Sequence, residues 1–275
     1  MAARKRFGMY KDEEKKVVRV PQVANDQVLV QLIEAWLKVK WKGEFSEETD
    51  FSQSYKACLK AIEGIQYTSK EVEKISIVLA RFQDKSQFTW KAGLFLSALI
   101  NNCPESDFLI HTQHMDERIN GLGIYNTKNI VIEGDAGDYL AEHMSNGTIT
   151  VRGNAGSAAG AVMKSGEIII NGNCANQLGF AMKGGKITLM QKAGSYVGGR
   201  MENGEIVING NCGDKLGDDM LGGKITVKGN AGDYLGINME GGEIRIEGEY
   251  GHLCNIQGGK IYHRGMLIDP KEGQR

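Results

Sequence analysis

Four side chains near the middle of the chain are of the types that ligate metals or move protons: His111, His114, Asp116 and Glu117. Two histidines three apart with carboxylates close by could hold a zinc ion or serve a hydrolytic site. The spacing does not favour either use. If His111 ends a strand that continues through Thr112, the two imidazoles fall on opposite faces, and the HExxH helix pattern is missing. Surface histidines are the plainer reading, and a stand-alone enzyme working at this junction is the competing one. Three other groupings could do chemistry. Met144, Met163, Met182, Met201, Met220 and Met239 recur in one position and could form a metal-binding row, but an interior stack is the plainer reading. The string GxxGxxxG could cradle a phosphate, yet such loops need one strand, one glycine turn and then a helix. Here the string recurs with no helix after it. Tyr139, Tyr196 and Tyr234 share a position with Ala158, Gln177 and Lys215, which fits a partly exposed edge better than a base-stacking platform. The chain has no GxSxG, no cysteine with a histidine partner and no carboxylate pair set apart. No catalytic, cofactor-binding or metal-binding residue is therefore assigned, and no cofactor is expected.

The elements that carry these residues follow from spacing. Gly134, Gly153, Gly172, Gln191, Gly210, Gly229 and Gly248 stand 19 residues apart, and Gly265 follows 17 later. Further small residues follow at offsets of three and seven, then the methionine, then a turn such as Asn146-Gly147 or Gly184-Gly185, then a short β-branched strand. Strands every 19 residues leave no room for a helix between them, so parallel strands must be joined by coils of tight turns. The expected fold is a β-solenoid with one strand per coil. Two columns test the stacking. The residue after each turn glycine reads Thr148, Glu167, Lys186, Glu205, Lys224, Glu243, Lys260, so in-register coils place each glutamate between lysines. An exposed pair contributes only about 0.2 to 1 kcal/mol, so this ladder selects register more than it stabilises. Asp135, Asn154, Asn173, Asn211 and Asn230 form a second column able to bond turn backbone and one another. Gln191 and Lys192 interrupt both patterns in one coil, which predicts a local distortion or a partner contact.

Before the repeat the periodicity is helical. Asn25-Asp26 can cap a helix burying Leu29, Leu32 and Trp36, and Thr68 to Glu71 has the capping-box pattern. Two more helices are expected, within 47–63 and from Phe88 to Ile100, with Pro104 as the stop. The fold class is thus α+β: a small helical bundle, residues 1–105, followed by a parallel β-helix, residues 106–275. Phe108 to Thr112 is the expected first strand and Gly121-Leu122-Gly123 the first turn. An open β-helix end exposes backbone and core, so the helical half is expected to cover the first coil. At the other end Cys254 and Ile256 keep the interior apolar, His263 replaces an aliphatic residue, and Met266 to Pro270 can fold across or meet a partner.

The totals narrow the partners. A formal net charge of −1 gives no global attraction to nucleic acid or an anionic membrane. Arg4, Lys5, Arg6, Lys15, Lys16 and Arg19 read as a solvated arm. No run of eighteen apolar residues and no signal-like segment is present, so the expectation is a soluble, cytoplasmic protein. Its five cysteines are scattered without a CxxC and read as buried thiols in a reducing compartment.

The repeat unit, as in Gly229-Asn230-Ala231-Gly232-Asp233-Tyr234-Leu235-Gly236, resembles the GXGXG domain found both in formylmethanofuran dehydrogenase, where it forms a subunit, and at the C-terminus of the glutamate synthase large subunit. The regularity of the units is closer to the formylmethanofuran dehydrogenase form and its relative in the formyltransferase/hydrolase complex. The resemblance covers about half the chain. It implies a right-handed β-helix that holds catalytic subunits together, while metal-pterin, iron-sulfur or flavin groups sit elsewhere, so no catalytic residue carries over. The function it implies is a non-catalytic scaffold subunit of an intracellular complex in one-carbon formyl metabolism, with protein subunits or further copies of itself as partners and neither nucleic acid nor membrane. A free-standing glutamate-synthase-type subunit is the alternative. The chain departs from the formylmethanofuran dehydrogenase form over its first 105 or so residues, and at Ala141, Ala175, Gln191 and Asn255, which stand at glycine positions.

Overall fold

The structure is a computed structural model and describes residues 23, 26–41, 51–254 and 256–268. The basic N-terminal residues, Asn25, Asn255 and the end of the tail lie outside it. Among the described residues four helices come first: α1 (Gln27–Lys38), α2 (Ser52–Ala61), α3 (Ser69–Val78) and α4 (Phe88–Asn102), with a 3-10 turn at Leu79–Phe82. Asp26 caps α1 by accepting the Leu29 N–H at 3.0 Å, and Thr68 with Glu71 forms the capping box of α3. The helix expected within 47–63 begins at Ser52; residues 42–50 are not described.

Ten strands follow in one sheet, in chain order: β1 (Asp107–His111), β2 (Asn129–Glu133), β3 (Thr148–Val151), β4 (Glu167–Ile170), β5 (Lys186–Leu189), β6 (Glu205–Ile208), β7 (Lys224–Val227), β8 (Glu243–Ile246), β9 (Lys260–His263) and β10 (Met266–Leu267). Each of β2 to β9 lies parallel to its predecessor; β10 turns back antiparallel on β9. This is the expected solenoid of 19-residue coils. The repeat makes it because each of β2 to β8 presents two inward aliphatic side chains, such as Ile168 and Ile170, which are completely buried. The six methionines are also 0 % exposed and close the interior opposite the strands.

The charge column is in the predicted register: Glu167 pairs with Lys186, Lys186 with Glu205, Glu205 with Lys224, and Lys224 with Glu243. Two of these close as ion pairs, Lys186–Glu205 at 3.5 Å and Lys224–Glu243 at 3.7 Å. The asparagine column bonds as expected. Asp135 Oδ1 accepts from Asn154 N and Nδ2 at 2.7 and 3.1 Å, and Asn154 Oδ1 accepts from Asn173 N and Nδ2 at 2.8 and 3.1 Å. The coil of Gln191 and Lys192 does not distort the sheet. β5 and β6 pair in full register there, and Gly210 N donates to Gln191 O at 3.1 Å as its counterparts do.

The glycines have two separate jobs. At Gly172 a Cβ would stand 2.6 Å from Asn154 Oδ1, so the residue is small because the column oxygen of the previous coil lies against it. At Gly185 the backbone is left-handed, with φ of +85°. Glycine does not supply every corner, however. Tyr139, Ala158, Gln177, Tyr196, Lys215 and Tyr234 all hold φ between 58 and 65°, and even β-branched Val162 has φ of 54°. The inter-coil hydrogen bonds on both sides of these corners hold the backbone there against side-chain preference.

The helices sit on the first coil. Ser76 Oγ on α3 accepts the His111 N–H of β1 at 3.1 Å. On α4, Thr89 O accepts the Asn120 N–H at 3.1 Å and Ser97 Oγ accepts the Gly123 N–H at 2.8 Å. Phe51 stacks on Trp90 at 4.6 Å, and Trp90 meets Tyr139 at 5.5 Å. Helix and coil side chains therefore share one continuous buried core.

Candidate functional site

The residues singled out by sequence serve this docking. His111 ends β1 and its Nε2 lies 3.0 Å from Glu73 Oε1 of α3. His114 is not on the strand: Thr112 N and Gln113 N both donate to Glu133 O, which turns the chain and brings His114 Nε2 to 3.1 Å from Ile77 O. The expectation of imidazoles on opposite faces is thus corrected, since both meet α3. Asp116 N donates to Gln83 Oε1 at 2.7 Å, joining the turn to the 3-10 segment. Among the described residues no group of three or more His, Cys, Asp or Glu is placed to hold a metal ion. The geometry fits the joining of two elements.

A different cluster, missed by sequence reasoning, gathers where α2 and α4 meet the second coil. Asn101 Nδ2 on α4 donates to Tyr55 OH at 2.9 Å and to Ile124 O at 3.0 Å. The Tyr55 and Tyr125 rings meet at 5.2 Å, and Tyr125 stacks on His143 at 5.4 Å. Tyr125 N donates to Glu142 O at 2.9 Å. Two side-chain oxygens here, Asn101 Oδ1 and Glu142 Oε2, are buried with no hydrogen-bond partner among the described residues. Burial pushes the Glu142 carboxyl up to about 7, while burial, then Lys164 and Lys183, hold the His143 imidazole below its usual range. Glu142 Oε1 and His143 Nε2 are 3.9 Å apart. A carboxyl that titrates near neutrality beside an imidazole could exchange a proton with a bound group. The available sequence signal was weak: Glu142 stands where the following coils place Ala161, Phe180, Gly199, Asp218 and Ile237, so the position tolerates an acid elsewhere.

The remaining candidates have structural placements. Cys58, Cys103, Cys174 and Cys212 are free and buried, and Cys254 is free and half-buried. In the tyrosine column Tyr139 is covered by the helices, Tyr196 accepts a hydrogen bond from Lys215 Nζ at 2.6 Å, and Tyr234 remains 48 % exposed. The interior methionines meet turn glycines: a Cβ on Gly185 would lie 2.7 Å from Met163 Cε. A second polar column was also missed. Asp138 N donates to Asn120 Oδ1 at 2.9 Å, Ser195 N to Asn176 Oδ1 at 3.0 Å, and Asp233 N to Asp214 Oδ1 at 2.9 Å.

Glycine-cornered coils, an interior methionine stack and bonded polar columns define a class: a parallel β-solenoid whose polar groups hold coil to coil. Within that class the chain belongs to the family described as GXGXG motif, which matches residues 116–262. Among solved structures it is similar to a chain of the formyltransferase/hydrolase complex (FhcABCD) from Methylorubrum extorquens, determined by X-ray crystallography in complex with methylofuran, at 30 % identity and a TM-score of 0.49. The similarity covers 54 % of this chain and 57 % of that one, so it spans little more than half the length of either. No curated protein matches the chain.

Proposed function

We propose that this chain is a non-catalytic subunit that holds catalytic partners together in a cytoplasmic assembly acting on formyl groups in one-carbon metabolism. The observation that supports this reading is how the solenoid uses its polar side chains. Asn154 and its column mates bond the next coil, and the Glu and Lys ladder sets register. Such bonds build a rod of fixed pitch, and a rod of fixed pitch keeps attached proteins at fixed distances. GXGXG family membership and the likeness of the repeat units to those of formylmethanofuran dehydrogenase favour formyl-handling partners over others. The test is to purify the tagged full chain from its native cells. Catalytic subunits in fixed stoichiometry, with formyl-transfer activity that the isolated chain lacks, are expected. Turnover by the isolated chain would overturn the proposal, and partners carrying amidotransferase and flavin domains would reassign it to the glutamate-synthase type.

One observation favours a second reading, catalysis where the helices meet the solenoid: the buried Glu142 Oε2, without a hydrogen-bond partner among the described residues, beside the His143 imidazole that stacks on Tyr125. On that reading His143→Ala abolishes activity of the isolated chain while leaving partner binding intact.

A further inference from the structure

The outer face of the sheet carries three columns. The first is the ladder Glu167, Lys186, Glu205, Lys224, Glu243, Lys260, partly to well exposed, with Lys186, Glu205, Lys224 and Glu243 at 47, 40, 45 and 28 %, and with Glu243 also paired to Arg245 of its own strand. The second, in the middle of the strands, is Thr150, Ile169, Thr188, Val207, Thr226, Arg245 and Tyr262, mostly β-branched and half-buried although they point outward. The third begins with Arg152 and Asn171 and continues through Met190, which is 45 % exposed, to Asn209, Lys228 and Glu247. The main helix-to-strand packing is α3 on β1, at one end of the sheet, so among the described residues the helices leave the face of β4 to β9 open.

A ladder that alternates in sign complements its own reversal. We propose that this face is an interface between two copies of the chain, related by a two-fold axis that runs parallel to the strands and passes between β6 and β7. The rotation reverses coil order but keeps each column opposite itself. Glu205 then faces Lys224 of the second copy, Lys186 faces its Glu243, and Glu167 faces its Lys260. In the middle column Val207 faces Thr226, Thr188 faces Arg245 and Ile169 faces Tyr262, and in the third Met190 faces Glu247. No like charges meet. A slip by one coil would bring glutamate to glutamate and lysine to lysine all along the ladder, so the charges fix the register. The strip from β4 to β9 is roughly 24 Å by 13 Å from strand spacing and rise. That is a small interface, and the dimer is therefore concentration-dependent.

The ladder also orders coils within one chain, and the two roles can be separated. Lys186→Glu creates like-charge neighbours inside the chain and like-charge pairs across the axis. Adding Glu243→Lys restores opposite charges across the axis, while like charges remain adjacent within each chain. Sedimentation equilibrium of the full chain over a concentration series should give a dimer that weakens with added salt. Lys186→Glu should raise its dissociation constant by roughly tenfold or more, and the double variant should return it close to wild type. A melting temperature that stays depressed in the double variant would show that the recovery is intermolecular. A wild-type chain that is monomeric throughout, a dimer unaffected by Lys186→Glu, or a double variant as weak as the single one would each overturn the proposal.

Discussion

Glu142 shows how one side chain can depart from the logic of its repeat position. Its carboxyl is pushed from 4.5 up to about 7 by burial, so the folded chain holds that proton more tightly than the unfolded chain does. The stability it contributes is full below pH 4.5 and is lost as pH rises through about 7. Glu142→Gln keeps the shape and stays neutral. Melting curves between about pH 5 and 8 should show the wild type losing stability relative to the variant, and parallel curves would mean that the carboxylate is solvated. The thiols give a second residue-scale expectation. Burial pushes Cys58, Cys174 and Cys212 up to about 12, whereas Cys254 is only half-buried. An alkylating reagent applied to the native protein at neutral pH should modify Cys254 first. Cys174 and Cys212 lie two strand spacings apart, about 10 Å, beyond the roughly 7 Å reach of a disulfide. Non-reducing mass spectrometry should find no link between them, and a link would mean the 19-residue coil is wrong. The buried state of Cys174 and Cys212 was legible in sequence, since two scattered thiols at one repeat position without a CxxC read as small apolar residues. Glu142 was not, because its repeat position carries unlike residues from coil to coil and does not mark the carboxyl as buried.

Among the elements, the coil was the easiest to read, since a period of 19 is visible wherever glycine marks it. The asparagine column was legible because one residue type recurs. The second column escaped because Asn120, Asp138, Asn176, Ser195 and Asp214 share only an acceptor oxygen, not a residue type. The left-handed corners at Tyr139 and Ala158 were hidden for the same kind of reason: inter-coil bonds impose the conformation, so no glycine announces it. The break at Lys192 yields a prediction. Asn173 Oδ1 still accepts the Lys192 N–H at 3.1 Å, but the lysine side chain offers no acceptor to the coil above. Lys192→Asn should restore one and stabilise the fold by about 0.5 to 1.5 kcal/mol in denaturant titration. Asn154→Ala removes the acceptor for both Asn173 donors and should cost about 1 to 3 kcal/mol. Equal effects of opposite substitutions, or none, would show that the columns follow the coil rather than hold it.

At the scale of the whole molecule, the solenoid has two ends that are finished differently. The far end closes with a shortened coil and with β10 folded antiparallel on β9, where His263 Nε2 lies 2.9 Å from Gly248 O. A short reversed strand is a common way to blunt an edge, although Met266 and Leu267 remain 71 and 61 % exposed. Among the described residues the near end has no such strand. Phe108, Ile110, Ile119, Leu122 and Ile124 are buried there beneath α3 and α4, and Ser76 occupies a backbone N–H of β1 that an open edge would expose. That helices would cover this end was legible from the open-end problem. Which helix does what was not, because it depends on Ser76, Ser97 and Gly93, none of which stands out in a sequence. We propose that residues 1–105 form the cap and 106–275 the rod. Deleting 1–105 should then cause aggregation or end-to-end association of the remainder, seen by light scattering. A gentler variant keeps the chain intact: at Gly93 a Cβ would stand 1.9 Å from Asn120 O, so Gly93→Val must push α4 off the first coil. It should lower the melting temperature and raise hydrogen exchange at β1 and β2 before the later strands, because coils open from the exposed end. If exchange instead rises evenly along the sheet, or the truncated rod stays monomeric with an unchanged melting temperature, the helices are an independent domain and the near end does not need them.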